Sequence, residues 1–174
     1  MSVYEAVVAR LTVREYKTDK IPHEVVLKIL EAGRVSPSSQ NSQPWHFIVV
    51  SDVEIIGKLG QIATQGPFIA QAPLVIAIVM DESGRPDLDA GRALQQMELV
   101  AWEAGLGTCF VGFRLEEQME DIKDLLNIPS GMQLITVLPF GYRLDKDLGS
   151  KRAKNRKALS EIAHNGQLGV PYEA

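Results

Sequence analysis

Pro37-Ser38-Ser39-Gln40-Asn41-Ser42-Gln43-Pro44-Trp45-His46-Phe47 lies between a helical pattern and a short apolar run, where a small domain would ordinarily use a tight turn. Proline fixes φ and steers the preceding residue away from the α region, so Ser36 and Gln43 are expected in extended geometry. Ser38, Ser39, Gln40, Asn41, Ser42 and Gln43, between the prolines, all carry groups that donate or accept hydrogen bonds. A segment pinned at both ends and polar in the middle suits the grip on a polar heterocycle. It suits a capped surface loop as well, and these residues leave both readings open.

Upstream, Val3 to Ala9 reads as a helix with Val3, Ala6 and Val7 on one face. A second helix is expected from Pro22 to about Arg34, with proline in the first turn and Val25, Val26, Ile29 and Leu30 as its buried stripe. Downstream, Phe47–Val50 reads as a short buried strand, and Asp52 as the cap of a helix through Ile62. The Gln65–Pro73 stretch reads as irregular. Leu74–Val79 is apolar on both faces and is expected to be central in a covered sheet.

Asp89 is expected to cap the longest helix, which ends near Gly105. Its stripe is Ala90, Ala93, Leu94, Met97, Val100, Ala101 and Ala104, with Leu99 and Trp102 adding apolar surface on another side. A helix that is apolar on more than one side must be buried more than once, and a second copy of the chain would supply the extra layer. Thr108–Val111 and Gln133–Phe140 read as strands, Glu116–Leu126 as a helix, and Leu159–His164 as a brief helical signal. The tail Gly166–Ala174 lacks periodicity and is expected either to fray or to wrap a partner. The alternation gives one α+β domain over residues 1–174, a layered sandwich with a central mixed sheet covered by helices.

At 174 residues, with 45% hydrophobic and 23% charged content, the chain has the make-up of a single globular core. A net charge of −4 argues against nucleic-acid binding. The apolar run near Ala72–Met80 falls short of the ~18 residues that cross a bilayer. Glu5 and the absence of an apolar core within Met1–Arg10 give no sign of a secretion signal. The lone Cys109 excludes an intrachain disulfide, and His23, His46 and His164 match no metal-ligand spacing. The expected setting is cytoplasmic, without membrane, nucleic acid or metal.

In extended geometry Arg10, Thr12 and Arg14 fall on one side of Arg10-Leu11-Thr12-Val13-Arg14. Two guanidiniums and a hydroxyl can hold a phosphate, since arginine forks match phosphate oxygens; solvated arginines beside Glu5 and Glu15 are the alternative. Gly105-Leu106-Gly107-Thr108-Cys109-Phe110-Val111-Gly112 is not a dinucleotide fingerprint, because a helix precedes it and a strand follows. Gly105 reads as a left-handed helix stop, and Gly112 as a strand end or a close approach to a ligand. Lys146, Lys151, Arg152, Lys154, Arg156 and Lys157 form a basic stretch, either a solvated linker or a further cation for a phosphate. Cys109 reads as a small buried hydrophobe. His46 reads as a boundary histidine, and His23 and His164 as helix residues facing water.

The order of these segments resembles the nitroreductase family of FMN-dependent oxidoreductases over nearly the whole chain. The Pro37–Phe47 stretch fits that family's Pro-Ser-x-x-Asn-x-Gln-Pro-Trp-x-Phe loop, and Arg10–Arg14 resembles its Arg-Arg-Ser-Val-Arg entry. Gly105–Gly112, Leu138-Pro139-Phe140-Gly141-Tyr142 and Arg156-Lys157 resemble its later segments. Leu11 stands where the family usually has a second arginine, and Thr12 keeps the hydroxyl of its serine.

The resemblance implies a homodimer with two FMN sites at the subunit interface and a C-terminal tail swapped onto the other subunit. Arg10, Leu11 and Thr12, with Arg156, would hold the FMN phosphate, and Arg14 would lie at the N1–C2 carbonyl edge of the ring. Ser38, Ser39 and Asn41 would reach across from the partner, and Phe110, Val111 and Gly112 would cover the ring near N5. The implied reaction is ping-pong hydride transfer from NAD(P)H through the flavin to nitroaromatic, quinone or enone acceptors, with no catalytic side chain required. A flavin-binding carrier or sensor with little turnover is the alternative. The short Ala63–Pro73 connection, where larger relatives place a helical lid, argues against dehalogenation.

Overall fold

The computed structural model describes residues 1–82, 85–113, 115–144 and 155–172. Helix α1 (Val3–Ala9) opens on a reciprocal cap: the Glu5 N–H donates to the Ser2 hydroxyl at 3.2 Å, and the Ser2 N–H to the Glu5 carboxylate at 2.7 Å. Only Ala6 of this helix is buried; Val3 and Val7, expected to pack beside it, are exposed. Helix α2 (His23–Arg34) has Pro22 as its N-cap, one position outside the helix, and buries Val26 and Ile29. Helix α3 (Val53–Ile62) starts as expected on Asp52, whose carboxylate accepts from the N–H groups of Glu54 and Ile55.

Strand β1 (Trp45–Val50) lies at a sheet edge and is only partly buried, so it is not the buried strand expected from its composition. The Gln65–Pro73 stretch contains a 3₁₀ turn over Pro67–Gln71 that fully buries Ile69. Strand β2 (Leu74–Asp81) is buried along its length except for the last residue. Helix α4 (Pro86–Glu103) begins before Asp89, which lies inside its first turns. Gly105 takes φ +84° and stops the helix, and strand β3 (Leu106–Thr108) follows at once. Helix α5 (Glu116–Leu125) and strand β4 (Met132–Tyr142) complete the layers.

The sheet order is β1-β2-β4-β3 with every strand pair antiparallel. The parallel component expected of a mixed sheet reduces to one bridge, Thr12 to Thr108. Strand β2 sorts its side chains by parity. Val75, Ala77 and Val79 join the core formed with Ile56 and Leu59 of α3 and Ile122 of α5. Leu74, Ile76, Ile78 and Met80 join Ile29 of α2 and Met97 and Ala101 of α4 on the other face. Each such burial of a large aliphatic side chain contributes about 1.5–3 kcal/mol, which fixes the register of the central strand.

The pairing of β2 with β4 slips between Ile78 and Val79, a bulge that sets Thr136 opposite Ile78 and Leu134 opposite Val79. A bulge re-aims a side chain. Here the fully buried Thr136 hydroxyl donates to the Val111 carbonyl at 3.0 Å and accepts from the Val111 N–H at 3.3 Å. The strand expected over Thr108–Val111 therefore leaves the sheet after Thr108, and a side chain holds Val111 in place of a ladder bond.

The C-terminal part is folded on itself rather than frayed. A 3₁₀ turn over Leu159–Glu161 leads into a small loop in which Asn165 N–H donates to Val170 O at 2.7 Å and Tyr172 N–H to Ala163 O at 3.0 Å. His164 bridges Pro171 here and is half-buried, not a water-facing helix residue. Leu159, Ile162, Leu168, Val170 and Tyr172 are exposed, Leu168 at 90%.

Candidate functional site

After α1, the Arg10–Tyr16 segment runs in extended form against β3 and β4. Val13 N–H donates to Thr108 O at 2.9 Å, and Lys17 N–H to Tyr142 O at 2.9 Å. The segment lies so close that a Cβ on Gly107 would sit 2.5 Å from Val13 Cβ, which explains glycine at that position. Val13 and Tyr16 point inward, and the Tyr16 hydroxyl donates to the Val13 carbonyl at 2.6 Å. Thr12 and Arg14 are exposed on either side of the buried Val13, whereas Arg10 and Leu11 are both half-buried, so the expected alternation holds over Thr12–Arg14.

Arg10 is not the solvated arginine of the alternative reading. Its Nη1 lies 3.5 Å from Glu98 Oε1, and the same oxygen accepts the Thr108 hydroxyl at 2.8 Å. The Arg14 guanidinium sits 5.8 Å from the Phe68 ring centroid and beside the Cys109 thiol. Among the described residues no carboxylate pairs with Arg14, so its charge is free to meet an anion. Burial pushes the Cys109 thiol up, with Arg14 opposing, and Cys109 is a buried hydrophobe with its sulfur 3.5 Å from the Phe110 carbonyl. Burial likewise pushes the Tyr16 phenol up.

Phe110 and Gly112 are exposed on either side of the buried Val111, and Cys109 joins them to the Arg14 neighbourhood. The structure thus brings Arg10, Thr12, Arg14 and Phe110–Gly112 to one end of β3. The donor set fits a phosphorylated, planar heteroaromatic group: two cations, an exposed hydroxyl, an exposed ring and open backbone at Gly112.

The Ser38–Asn41 loop is anchored elsewhere. Ser39 N–H donates to both carboxylate oxygens of Asp89, at 3.0 and 3.2 Å, and Asp89 is fully buried. Asp89 therefore caps the 3₁₀ turn over Ser39–Asn41 and not its own helix. Gln40, Asn41 and Gln43 take φ of +54°, +56° and +51°; Gln43 is not in the extended geometry expected before Pro44. Its N–H is drawn back to the Ser38 hydroxyl at 2.9 Å, which folds the loop on itself. Ser36 is buried with its hydroxyl unpaired among the described residues, and Asn41 is exposed. The nine residues from Asp89 to Glu98 are about two and a half helical turns, so the two anchors face opposite sides of α4 roughly 13 Å apart along it.

Arg156 and Lys157 are exposed, and Arg156 Nη1 donates to the Asn155 carbonyl at 3.0 Å. Lys146, Lys151, Arg152 and Lys154 lie outside the described residues. His46 is an exposed boundary residue, 3.3 Å from Asp81, and His23 is exposed. Sequence reasoning missed Glu98 and Thr136 and gave Asp89 the wrong partner. Only the polar character of Glu98 and Asp89 beside an apolar stripe could have pointed to them.

A groove between α1, α2 and α4 is lined by Val3, Ala6, Leu27, Val35, Leu99 and Val100. Leu99 of the expected second apolar side of α4 lies here, whereas Trp102 is buried in the chain's own core under the Arg143 guanidinium. No helix among the described residues is long and apolar enough to cross a membrane.

The sequence profile described as the Nitroreductase family matches residues 7–85 and 63–142. A protein of Methanothermobacter thermautotrophicus, described as a candidate NADH dehydrogenase/NAD(P)H nitroreductase, is 34% identical over 148 residues, 82% of this chain and 78% of its own. The iodotyrosine deiodinase of Thermotoga neapolitana is 25% identical over 166 residues, covering 80% of this chain and 88% of the relative. The solved FMN-dependent nitroreductase of Clostridium difficile R20291 superposes with a TM-score of 0.76 at 30% identity, over 88% of this chain and 99% of that one.

Proposed function

This chain belongs to the nitroreductase family, and from that premise we propose that it is an FMN-dependent oxidoreductase that uses NAD(P)H and works as a homodimer. The observation that carries the reading is the exposed pair Thr12 and Arg14, with Arg10 held by Glu98, at the end of β3 beside Phe110–Gly112. FMN, when bound, would supply hydride chemistry between the nicotinamide and a nitroaromatic, quinone or enone acceptor. The protein's own residues bind and tune. Arg10 and Thr12 hold the phosphate, helped by Arg156 from the tail, and Leu11 contributes through its backbone. Arg14 holds a fixed positive charge at the N1–C2 carbonyl edge, which favours the reduced form. Phe110, Val111 and Gly112 line the ring, with Val111 fixed by Thr136.

Two observations support a site shared between subunits. Ser39 and Arg10 are anchored on opposite faces of α4, so Ser38, Ser39 and Asn41 serve the flavin bound mainly by the other protomer. The groove beside α1 and the exposed apolar tail offer the surface a second copy would cover. The Ala63–Pro73 connection is committed to the core through Ile69, and Gly60 packs against Ala70. That supports an open cleft used by donor and acceptor in turn, a ping-pong cycle, over the dehalogenation carried in the name of the deiodinase relative.

Purified protein titrated with FMN, then with NADH or NADPH without oxygen, tests the reading. Flavin fluorescence should be quenched on binding and the yellow colour bleached by at least one nicotinamide. Unchanged fluorescence removes the flavin; a bound flavin that neither nicotinamide bleaches makes the protein a carrier. A light-scattering mass of one chain with FMN fully bound removes the shared site.

A further inference from the structure

We propose that Asp89 is the positioning residue that sets the Ser38–Asn41 loop in its flavin-facing form, acting from inside α4 on the backbone of Ser39. The inference rests on the FMN reading given above and assigns a role to a residue outside the set expected to touch the cofactor.

Asp89 is fully buried, where a carboxylate is retained only with strong partners. Its partners among the described residues are few. Both oxygens face the Ser39 N–H, at 3.0 and 3.2 Å, and Arg92 Nη1 stands 3.4 Å from Oδ1 with its own side chain 44% exposed. The carboxylate is therefore directed chiefly at one backbone donor fifty residues away in sequence.

That donor opens a turn that would not hold its shape unaided. Gln40, Asn41 and Gln43 all sit at positive φ, each an unfavourable backbone state for a residue with a Cβ. The remaining ties of Ser38–Gln43 among the described residues are local: Gln43 N–H to the Ser38 hydroxyl at 2.9 Å, Gln43 Nε2 to the Asn41 carbonyl at 3.4 Å, and the N–H groups of Asn41 and Ser42 to the carbonyls of Ser38 and Ser39, both at 3.1 Å. Local ties move with the loop and do not fix it relative to the fold. The Asp89–Ser39 bond does, because α4 packs on the sheet through Ala90, Ala93 and Met97. A charge-assisted bond at the start of the turn thus transmits the position of α4 to Ser38, Ser39 and Asn41.

The test compares wild type, Asp89→Ala and Asp89→Asn in three measurements: FMN dissociation constant by fluorescence, amide hydrogen exchange across residues 38–43, and thermal unfolding of the apoprotein. The expected result for Asp89→Ala is a dissociation constant raised about tenfold or more, with the Ser39 amide exchanging at least tenfold faster. Asp89→Asn keeps an acceptor oxygen of the same reach without the charge; the expected rise is about threefold, with a smaller gain in exchange. Turnover of either variant saturated with FMN should return to within about threefold of wild type, since the residue touches no reacting atom.

A merely structural carboxylate would lower the unfolding temperature and leave the FMN dissociation constant of the folded protein unchanged. That result overturns the inference, as does weakened binding with a Ser39 amide still protected as in wild type. Should Asp89→Ala fail to fold, Asp89→Asn decides: unchanged affinity and unchanged exchange overturn the inference, and a joint change supports it. Wild-type protein that takes up no FMN overturns the proposed function and this inference with it, whereas wild-type binding with indifferent Asp89 variants removes only the inference.

Discussion

The Thr108 hydroxyl donates to Glu98 Oε1 at 2.8 Å, tying the end of β3 to the middle of α4. The same oxygen lies 3.5 Å from Arg10 Nη1, so the guanidinium is held where the extended segment meets the sheet. Arg10 is thus pre-oriented, and little side-chain freedom remains to be lost when it meets an anion.

Arg10→Ala and Arg156→Ala should loosen FMN without disabling it. Loss of one charged hydrogen bond, about 1.5–3 kcal/mol, corresponds to a roughly tenfold to hundredfold rise in the FMN dissociation constant. With FMN in excess, kcat should stay within about threefold of wild type. A variant saturated with FMN and still inactive would contradict phosphate-binding roles.

Arg14→Leu should lower the flavin reduction potential. Removing a positive charge from the N1–C2 edge withdraws stabilisation from the reduced form, and about 1.4 kcal/mol corresponds to roughly 30 mV for two electrons. An anaerobic redox titration reads this directly. An unchanged potential would place Arg14 elsewhere.

Gly107→Ala should destabilise the fold by about 1–3 kcal/mol, because the new methyl would meet Val13 at 2.5 Å between packed elements. Among the described residues Gly112→Ala meets only Phe110 Cε1, at 3.7 Å, and should leave stability unchanged. Urea unfolding midpoints of the two variants test the close approach of the Arg10–Arg14 segment. Equal midpoints would mean that this segment packs more loosely than described.

Stability should fall in alkali. Burial raises the Tyr16 phenol above its ordinary 10.0 and the Cys109 thiol above its ordinary 9.0, so the unfolded chain loses both protons first. Each contributes stability that is complete below its ordinary value and declines as pH rises above it, by up to ~1.4 kcal/mol per pH unit per group. Tyr16→Phe loses the hydrogen bond to Val13, about 0.5–1.5 kcal/mol at neutral pH, and should flatten the decline above the phenol's ordinary value. Urea titrations from neutral to alkaline pH check the sign. A decline equally steep in Tyr16→Phe would discard the phenol's part in it.

Leu168→Asp should leave the single chain's stability untouched, since Leu168 is 90% exposed. It should weaken self-association by about tenfold or more if the tail docks on a second chain. Concentration-dependent light scattering distinguishes this from a tail that stays in solvent.

Much of the architecture was legible because its signals are local. Asp52 caps α3, Gly105 stops α4 at φ +84°, and β2 is apolar on both faces because both are covered. The outward Thr12 and Arg14 on either side of Val13 follow from strand periodicity alone. What stayed hidden depends on long-range geometry. Asp89 looks like a helix cap in sequence, but its donor is fifty residues distant in a loop. The bulge that turns Thr136 to Val111 arises from strand register, and the Glu98–Arg10 pair from docking α1 on α4. Val3 and Val7 share a helix face with Ala6 in sequence, yet only Ala6 of α1 is buried.

Leu159, Ile162, Leu168, Val170 and Tyr172 form an oily appendage on a self-folded arm that its own core does not shelter. On the shared-site arrangement, loading with flavin becomes a matter of protein abundance as much as vitamin supply. Dilute chains would shed their colour even amid plentiful coenzyme, and concentrated chains would keep it.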